Sequence, residues 1–117
     1  MADVRAATSR PRYEARPGRS ALVIADLAAL RGPTSGIVEL PLRLAWGANS
    51  TFDLSDSEVL RWLYQVVLRE AVHEDELVSY LDGETLVAIW PALFLPKGVR
   101  RAWEDRHQAL CPAAHAA

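Results

Sequence analysis

The longest apolar pattern in the chain, from about residue 56 to residue 72, predicts a central helix. Apolar residues fill most of its helical circumference and leave a polar stripe of Glu58, Arg61, Gln65 and Arg69. In a small protein, such a helix is buried on most sides. Ser55 and Glu58 have the spacing of a capping box at its start. We expect this helix to be the most buried element, with Trp62 in the core, so that Trp62→Ala costs about 3–5 kcal/mol.

Three shorter helical patterns follow, each bounded by a residue that interrupts a helix. The first begins at Glu74 and ends at Asp82-Gly83, the second runs from Glu84 to Trp90, and the third covers Lys97–His107. Pro91 predicts a break or kink at Trp90, and Pro96 suits the first turn of the last helix. The inward-facing residues predicted for that last helix are Val99, Ala102 and Trp103.

Residues 37–46 alternate between apolar and other positions, with Leu40, Leu42, Leu44 and Trp46 on one face. This period of two predicts a strand, which Pro41 restricts to a sheet edge or interrupts. Thr51–Leu54 can return as a second strand, so the pattern predicts a β-hairpin. From Ser20 to Leu30 the spacing favours a short helix, with a strand over Ala21–Ile24 as the alternative.

Together these patterns predict an α+β fold that is mostly helical, with a small β-hairpin packed on four to five short helices. Residues 20–110 form one globular domain. Residues 1–19 have little apolar periodicity and include Pro11, Pro17 and Gly18, which predicts a disordered basic tail. Residues 111–117 are predicted to be a flexible tail.

The charge distribution separates the N-terminal part from the rest of the chain. Residues 1–35 contain six arginines and three acidic residues, a local net charge of +3, whereas the remaining residues have a local net charge of −5. The overall net charge of −2 argues against a domain that binds nucleic acid with its whole surface. The basic N-terminal arm alone could contact DNA or an acidic partner.

Cysteine use and hydropathy bear on the compartment. The single cysteine, Cys111, cannot form an internal disulfide, which fits a reducing compartment. The sequence contains no run of 18 apolar residues that would predict a membrane span. The segment around Ala21–Leu30 also lacks the features of a secretory signal. We therefore expect a cytoplasmic protein that does not contact membranes.

No arrangement of residues predicts catalysis or a bound cofactor. No serine lies in a G-x-S-x-G turn, and the glycines do not form a nucleotide-binding pattern. His73 precedes three acidic residues, and Glu104 lies one helical turn before His107. Neither pair has further ligands at metal-binding spacing. We predict a protein that is not an enzyme and has no metal or cofactor.

The segments Glu76–Leu81 and Thr85–Trp90 have about the lengths of a helix-turn-helix. A recognition helix needs side chains that hydrogen-bond to base edges, and ETLVAIW offers almost none. We expect helix-turn-helix packing without base recognition by the second helix.

Three segments resemble one group of small actinobacterial proteins: RGPTSGIVELPLRLAW (31–46), LYQVVLREA (63–71) and LVAIWPALFLPKGVRRAWEDRHQAL (86–110). Together they span about residues 31–110, most of the predicted domain. Members of this group tend to be encoded just upstream of nucleotidyltransferase-like proteins of the AbiE toxin type. The resemblance implies an antitoxin or accessory-partner role, and it brings no catalytic residues.

We therefore expect a non-enzymatic binding protein, an antitoxin-like partner of a nucleotidyltransferase-type toxin. The alternative is a small DNA-binding transcriptional regulator that uses the basic N-terminal arm and the last helix. The break at Trp90-Pro91 predicts an exposed apolar corner with a basic rim, the usual arrangement of an interface. The predicted partner-binding residues are Trp90, Phe94, Lys97, Arg100 and Arg101. The alternative for this corner is that Trp90 and Phe94 both turn inward.

Overall fold

The longest helix, α1, spans Ser57–Glu70 in the computed structural model, which describes residues 14–16, 19–41, 44 and 51–111. Asp56 caps its first turn, since Asp56 Oδ1 accepts a 2.9 Å hydrogen bond from the Glu58 amide. The predicted capping box between Ser55 and Glu58 is wrong, because the Ser55 amide and hydroxyl both donate to Asp53 Oδ1. The Ser55 hydroxyl, and after it the Ser55 amide, lowers the pKa of the Asp53 carboxyl by stabilising its charged form.

One face of α1 lies in the hydrophobic core, whereas the sequence pattern predicted burial around most of its circumference. Its buried residues are Leu63, Tyr64, Val66, Val67, Leu68 and Glu70. The prediction that Trp62 belongs to this core is wrong, since Trp62 is 56% exposed. Trp62 follows Glu58 by four residues and precedes Gln65 by three, so helical geometry places it on the polar stripe. Trp62→Ala therefore leaves no buried cavity, and the cost expected for a core truncation does not apply.

The predicted hairpin is present but shorter than the alternation indicates. Strand β3 spans Ile37–Glu39 and pairs antiparallel with β4, Thr51–Asp53, with Val38 opposite Phe52. Val38 and Phe52 are both buried, so this pair attaches the hairpin to the core. The strand ends before Pro41, which has no amide proton for a ladder. Leu40 and Leu44 are buried as expected, whereas Leu42 and Trp46 lie outside the described residues.

Three more helices follow α1, close to the predicted bounds. They are α2 at Glu74–Tyr80, α3 at Gly83–Ile89 and α4 at Lys97–Arg106. The Glu76 carboxylate accepts from the Val72 and His73 amides at the start of α2, and Asp82 caps α3 by accepting from the Thr85 amide. The mostly helical α+β fold with a small hairpin is confirmed. None of the described helices has the length and apolar character needed to cross a membrane.

Residues 21–32 do not form the predicted helix, and Ala21–Ile24 is not a strand either. Only Leu27–Ala29 is helical, as one 3-10 turn that Asp26 caps by accepting from the Ala28 amide. Apart from the bonds of that turn, the backbone of this segment bonds to other elements. The Arg31 amide donates to the Val78 carbonyl (3.2 Å), and the Gly32 amide donates to the Leu81 carbonyl (2.7 Å). Tertiary pairing therefore overrides the local helical pattern.

Two glycines allow this backbone pairing. A Cβ on Gly32 would lie 2.4 Å from the Tyr80 carbonyl carbon, and a Cβ on Gly83 would lie 2.4 Å from the Leu27 carbonyl oxygen. Both distances are far shorter than real carbon contacts, and the opposing atoms are backbone. The 27–32 segment and the α2–α3 junction are therefore held together by direct backbone approach at two glycines.

Tyr64 of α1 contacts the α2–α3 junction through a hydrogen bond. Its hydroxyl accepts a 2.9 Å hydrogen bond from the Asp82 amide, which connects α1 to the start of α3. Burial raises the pKa of Tyr64, because a tyrosinate would be poorly solvated there. The core helix and the N-terminal segment thus meet at the same point of the chain.

The N-terminal residues depart in part from the predicted tail. Glu14–Arg16 (β1) and Arg19–Ser20 (β2) pair as a short antiparallel ladder, and the β1 backbone lies beside α4. The rest of the predicted tail 1–19, and most of the predicted tail 111–117, lie outside the described residues. For those residues the tail remains a prediction.

We predict that Gly32→Ala and Gly83→Ala each destabilise the fold by about 1–3 kcal/mol or more, the usual cost of overpacking. The added methyl group would overlap backbone atoms, which cannot move aside as a flexible side chain can. Chemical denaturation monitored by circular dichroism gives the unfolding free energies. Ser35→Thr, which adds a methyl group at an exposed position three residues after Gly32, is the control and should change little. Stability equal to wild type in both alanine variants would refute the close approach.

Candidate protein-binding surface

The junction between α3 and α4, residues 90–96, is shaped by two prolines. Pro91 has no amide proton to continue α3, so the chain makes one 3-10 turn over Trp90–Ala92 and then extends to Pro96. The predicted break at Pro91 is confirmed, although Trp90 itself keeps helical dihedral angles. The turn directs the carbonyl groups of Trp90 and Leu93 toward α4.

Arg100 of α4 binds these two carbonyl groups with one side of its guanidinium. Its Nη2 lies 3.4 Å from the Trp90 carbonyl oxygen and also donates to the Leu93 carbonyl. The guanidinium carbon lies 5.0 Å from the centre of the Trp90 ring, a cation–π distance. Its Nη1 lies 3.5 Å from Glu104 Oε2. Arg100 therefore fastens the junction internally and is not a free cation on a rim.

Trp90 is buried, so the expected exposed corner at this residue is wrong. Only 1% of Trp90 is exposed. Its indole N–H donates a 2.9 Å hydrogen bond to Glu104 Oε2, and its ring packs against Trp103 at 6.4 Å. The acceptor, Glu104, allows the ring to turn inward without an unpaired N–H. Trp90 supports the junction from inside and is not available to a partner.

Phe94 takes the opposite orientation and is 85% exposed. Its backbone is nevertheless held, since its amide donates a 2.8 Å hydrogen bond to Gln65 Oε1 of α1. Leu93, the preceding residue, is buried and has its carbonyl bound by Arg100. Neither alternative for the Trp90–Phe94 corner is therefore met as a whole, because one ring turns inward and the other outward. A large apolar ring is presented to solvent from fixed backbone.

Two predicted basic residues lie on α4, the helix that follows Phe94. Lys97 follows Phe94 by three residues at the start of α4, and Arg101 lies one turn further along that helix. Both are exposed. Of the five predicted partner-binding residues, the structure keeps Phe94, Lys97 and Arg101 at the surface and uses Trp90 and Arg100 to hold them in place.

Trp62 is a surface residue that the sequence reasoning assigned to the core. It lies on α1 one turn before Gln65, the residue that binds Phe94, and the edge of its ring packs on Phe52 at 6.2 Å. The signal was available in the sequence: Trp62 falls on the same helical stripe as Glu58, Gln65 and Arg69. We call Phe94, Trp62, Gln65, Lys97 and Arg101 the aromatic surface.

A separate open cleft of about 620 Å³ lies at the start of α3, away from the aromatic surface along the chain. Leu27, Leu30 and Val87 form its apolar part, and Arg31, Asp82 and Glu84 contribute charges. Asp82 is already engaged with the Thr85 amide and hydroxyl. The cleft residues include no histidine, cysteine or serine.

The residues that sequence analysis weighed for chemistry have structural partners. His107 is buried and its Nε2 lies 2.7 Å from the Ile24 carbonyl, so that nitrogen carries the proton. Glu104 binds Trp90 and Arg100, and the Cys111 thiol donates to the Glu104 carbonyl. Within the described ranges, no three histidine, cysteine or acidic side chains cluster closely enough to hold a metal ion. What these residues do is tie α4 to the rest of the fold.

The second predicted helix of a helix-turn-helix, α3, presents little that could read bases. Its exposed positions are Glu84 and Ala88, and its buried residue is Leu86. The connection before it, Leu81-Asp82, is occupied by the pairing with residues 30–32. An acidic and an apolar side chain are poor donors to base edges.

The chain matches no protein-family profile, and no curated protein or solved structure is significantly similar to it.

Arg100 and Arg101 are adjacent in sequence but have different roles, and we predict that charge reversal separates them. Arg100→Glu removes the bonds to two carbonyls and places an acid beside Glu104, which should cost about 1.5–3 kcal/mol or more. Arg101→Glu, at an exposed position, should stay within about 0.5 kcal/mol of wild type. Thermal and urea unfolding measure both. Equal stability of the two variants would contradict this prediction.

The two buried tryptophans provide a second comparison. Trp90→Phe deletes a hydrogen bond to a carboxylate, of a kind worth about 1.5–3 kcal/mol. Trp103→Phe deletes an indole N–H that has no partner among the described residues. Both changes replace an indole by a smaller phenyl ring, so the difference in unfolding free energy reports the Glu104 bond together with the Arg100 stacking on Trp90. We expect Trp90→Phe to be the more destabilising in urea titrations, and the reverse order would count against this bond.

Proposed function

We propose that this protein is a non-enzymatic binding protein, the antitoxin-like partner of a nucleotidyltransferase-type toxin, and that it binds through Phe94. The observation that carries the proposal is the exposure of Phe94 on a backbone fixed by Gln65 and Arg100. A large apolar side chain exposed on fixed backbone loses little conformational freedom on binding, which favours affinity.

The surroundings of Phe94 support a protein partner. Lys97 and Arg101 are exposed basic residues on the helix that follows Phe94, and aromatic and arginine side chains are enriched where binding energy concentrates. Three groups that could act as base, metal ligand or nucleophile, Glu104, His107 and Cys111, are engaged within the fold, which favours binding over catalysis. A single free cysteine fits a cytoplasmic protein.

The class of partner comes from the sequence resemblance to small actinobacterial proteins encoded beside nucleotidyltransferase-like toxins. Its segment 86–110 includes the whole α3–α4 junction, so the part of the chain that carries the resemblance also presents Phe94. A partner that covers this junction would bury the most exposed large apolar side chain among the described residues.

The test uses the full-length protein and the nucleotidyltransferase-like protein encoded beside it, titrated against each other by calorimetry. We expect Phe94→Ala to weaken binding by tenfold or more, about the loss at an interface hot spot, with an unchanged melting temperature. Ile37→Ala, which truncates another exposed apolar residue (72% exposed) on the hairpin, is the matched control and should bind like wild type.

Three outcomes would go against the proposal. The wild-type protein could fail to bind that nucleotidyltransferase-like protein, or Phe94→Ala could bind at full strength. The third is a salt-dependent DNA gel shift that disappears when residues 1–19 are deleted. That result would favour the DNA-binding regulator, which uses the basic N-terminal arm.

A further inference from the structure

The outer stripe of α1 continues the aromatic surface beyond Phe94. Gln65 lies at the centre of this stripe, since its side chain binds the Phe94 amide. Trp62 lies one turn before Gln65, and Arg61 and Arg69 lie four residues before and after it. Side chains three or four residues apart on a helix have Cβ atoms about 5–6 Å apart. Trp62 and two arginines therefore border the position where Phe94 meets α1.

The charge on this stripe differs from that of the surrounding protein. From residue 36 onward the chain has a net charge of −5. Many of its acids lie elsewhere, in α2 and at the start of α3. Arg61 and Arg69 are the basic residues of the α1 stripe, and Lys97 and Arg101 are exposed basic residues on α4, the helix that follows Phe94. Glu70 offsets Arg69 at 3.1 Å, Glu58 lies one turn before Trp62, and Asp105 lies one turn after Arg101. With four basic and three acidic side chains, the surface is slightly basic on an acidic body.

We infer that the outer stripe of α1 (Arg61, Trp62, Gln65 and Arg69) and Phe94 together bind an acidic protein segment that carries an aromatic or large apolar side chain. In this complex the rings of Trp62 and Phe94 cover the partner's apolar side chain. Arg61, Lys97 and Arg101 face the acidic residues beside that side chain. Such complementary charges steer association and set its specificity. Nucleic acid is the less suitable occupant, since the acidic body repels a polyanion that extends past the patch. This inference rests on the proposed binding function and adds the chemistry of the partner.

The test uses a partner-independent probe, a fluorescein-labelled random copolymer of glutamate and tyrosine, with polyglutamate and oligothymidylate as comparison ligands. Fluorescence anisotropy with the full-length protein measures each affinity. We expect the copolymer to bind best, with an affinity that falls as salt rises. Arg61→Glu and Trp62→Ala should each weaken it by about tenfold. Arg106→Glu makes the same change of net charge at an exposed residue of α4 and should stay within about twofold.

Folding of each variant is checked by thermal unfolding, and Arg61→Gln serves as the milder variant if Arg61→Glu unfolds. The inference is overturned if the wild-type protein does not bind the copolymer or if Trp62→Ala binds it with full affinity. It is also overturned if Arg106→Glu weakens binding as much as Arg61→Glu, because then only net charge matters. Tighter binding of oligothymidylate, lost in Trp62→Ala, would assign the patch to nucleic acid instead.

These results separate the inference from the proposed function. If the copolymer results fail while Phe94→Ala still releases the nucleotidyltransferase-like protein, the acidic-segment inference falls and the proposed function stands. If Arg61 and Trp62 bind the copolymer but that nucleotidyltransferase-like protein does not bind, the proposed function falls and the inference stands.

Discussion

The guanidinium of Arg100 holds together a junction that the backbone alone could not stabilise. Pro91 interrupts α3, and the following turn leaves the Leu93 carbonyl outside any helical ladder. Arg100 donates to that carbonyl, stacks on Trp90 and pairs with Glu104, so one side chain orders the turn, the buried ring and the adjacent helix. The same turn carries Phe94, whose amide donates to Gln65 Oε1 of α1. Stability and the candidate function thus meet in one residue.

Sequence patterns predicted the helices well because particular residue types, glycine and proline above all, end or begin them. Asp82-Gly83, Pro91 and Pro96 each remove or redirect a backbone hydrogen bond wherever they occur, and the bounds of α2, α3 and α4 follow from them. The segment at 21–32 could not be predicted in the same way. Its amides bond to residues some fifty positions away, and local periodicity contains no information about that pairing.

The candidate surface was predicted in part, and its errors share a cause. Composition identifies tryptophan as apolar but does not say which tryptophan turns inward. Trp90 is buried because Glu104, fourteen residues later, accepts its N–H, and Trp62 is exposed because its helical stripe is polar. Helical geometry predicts the exposure of Trp62 from the sequence. The burial of Trp90 depends on the relative placement of α3 and α4, which only the fold supplies.

The backbone contact between Gly32 and the α2–α3 junction has a consequence for the dynamics of the molecule. The Arg31 and Gly32 amides are bonded to carbonyls of α2 and of the residue that follows it, so their exchange with solvent requires separating two parts of the chain that are distant in sequence. Hydrogen exchange at these amides reports the opening of that contact, not local fraying. Because Tyr64 binds the same junction from α1, the N-terminal segment and the central helix belong to one cooperative unit.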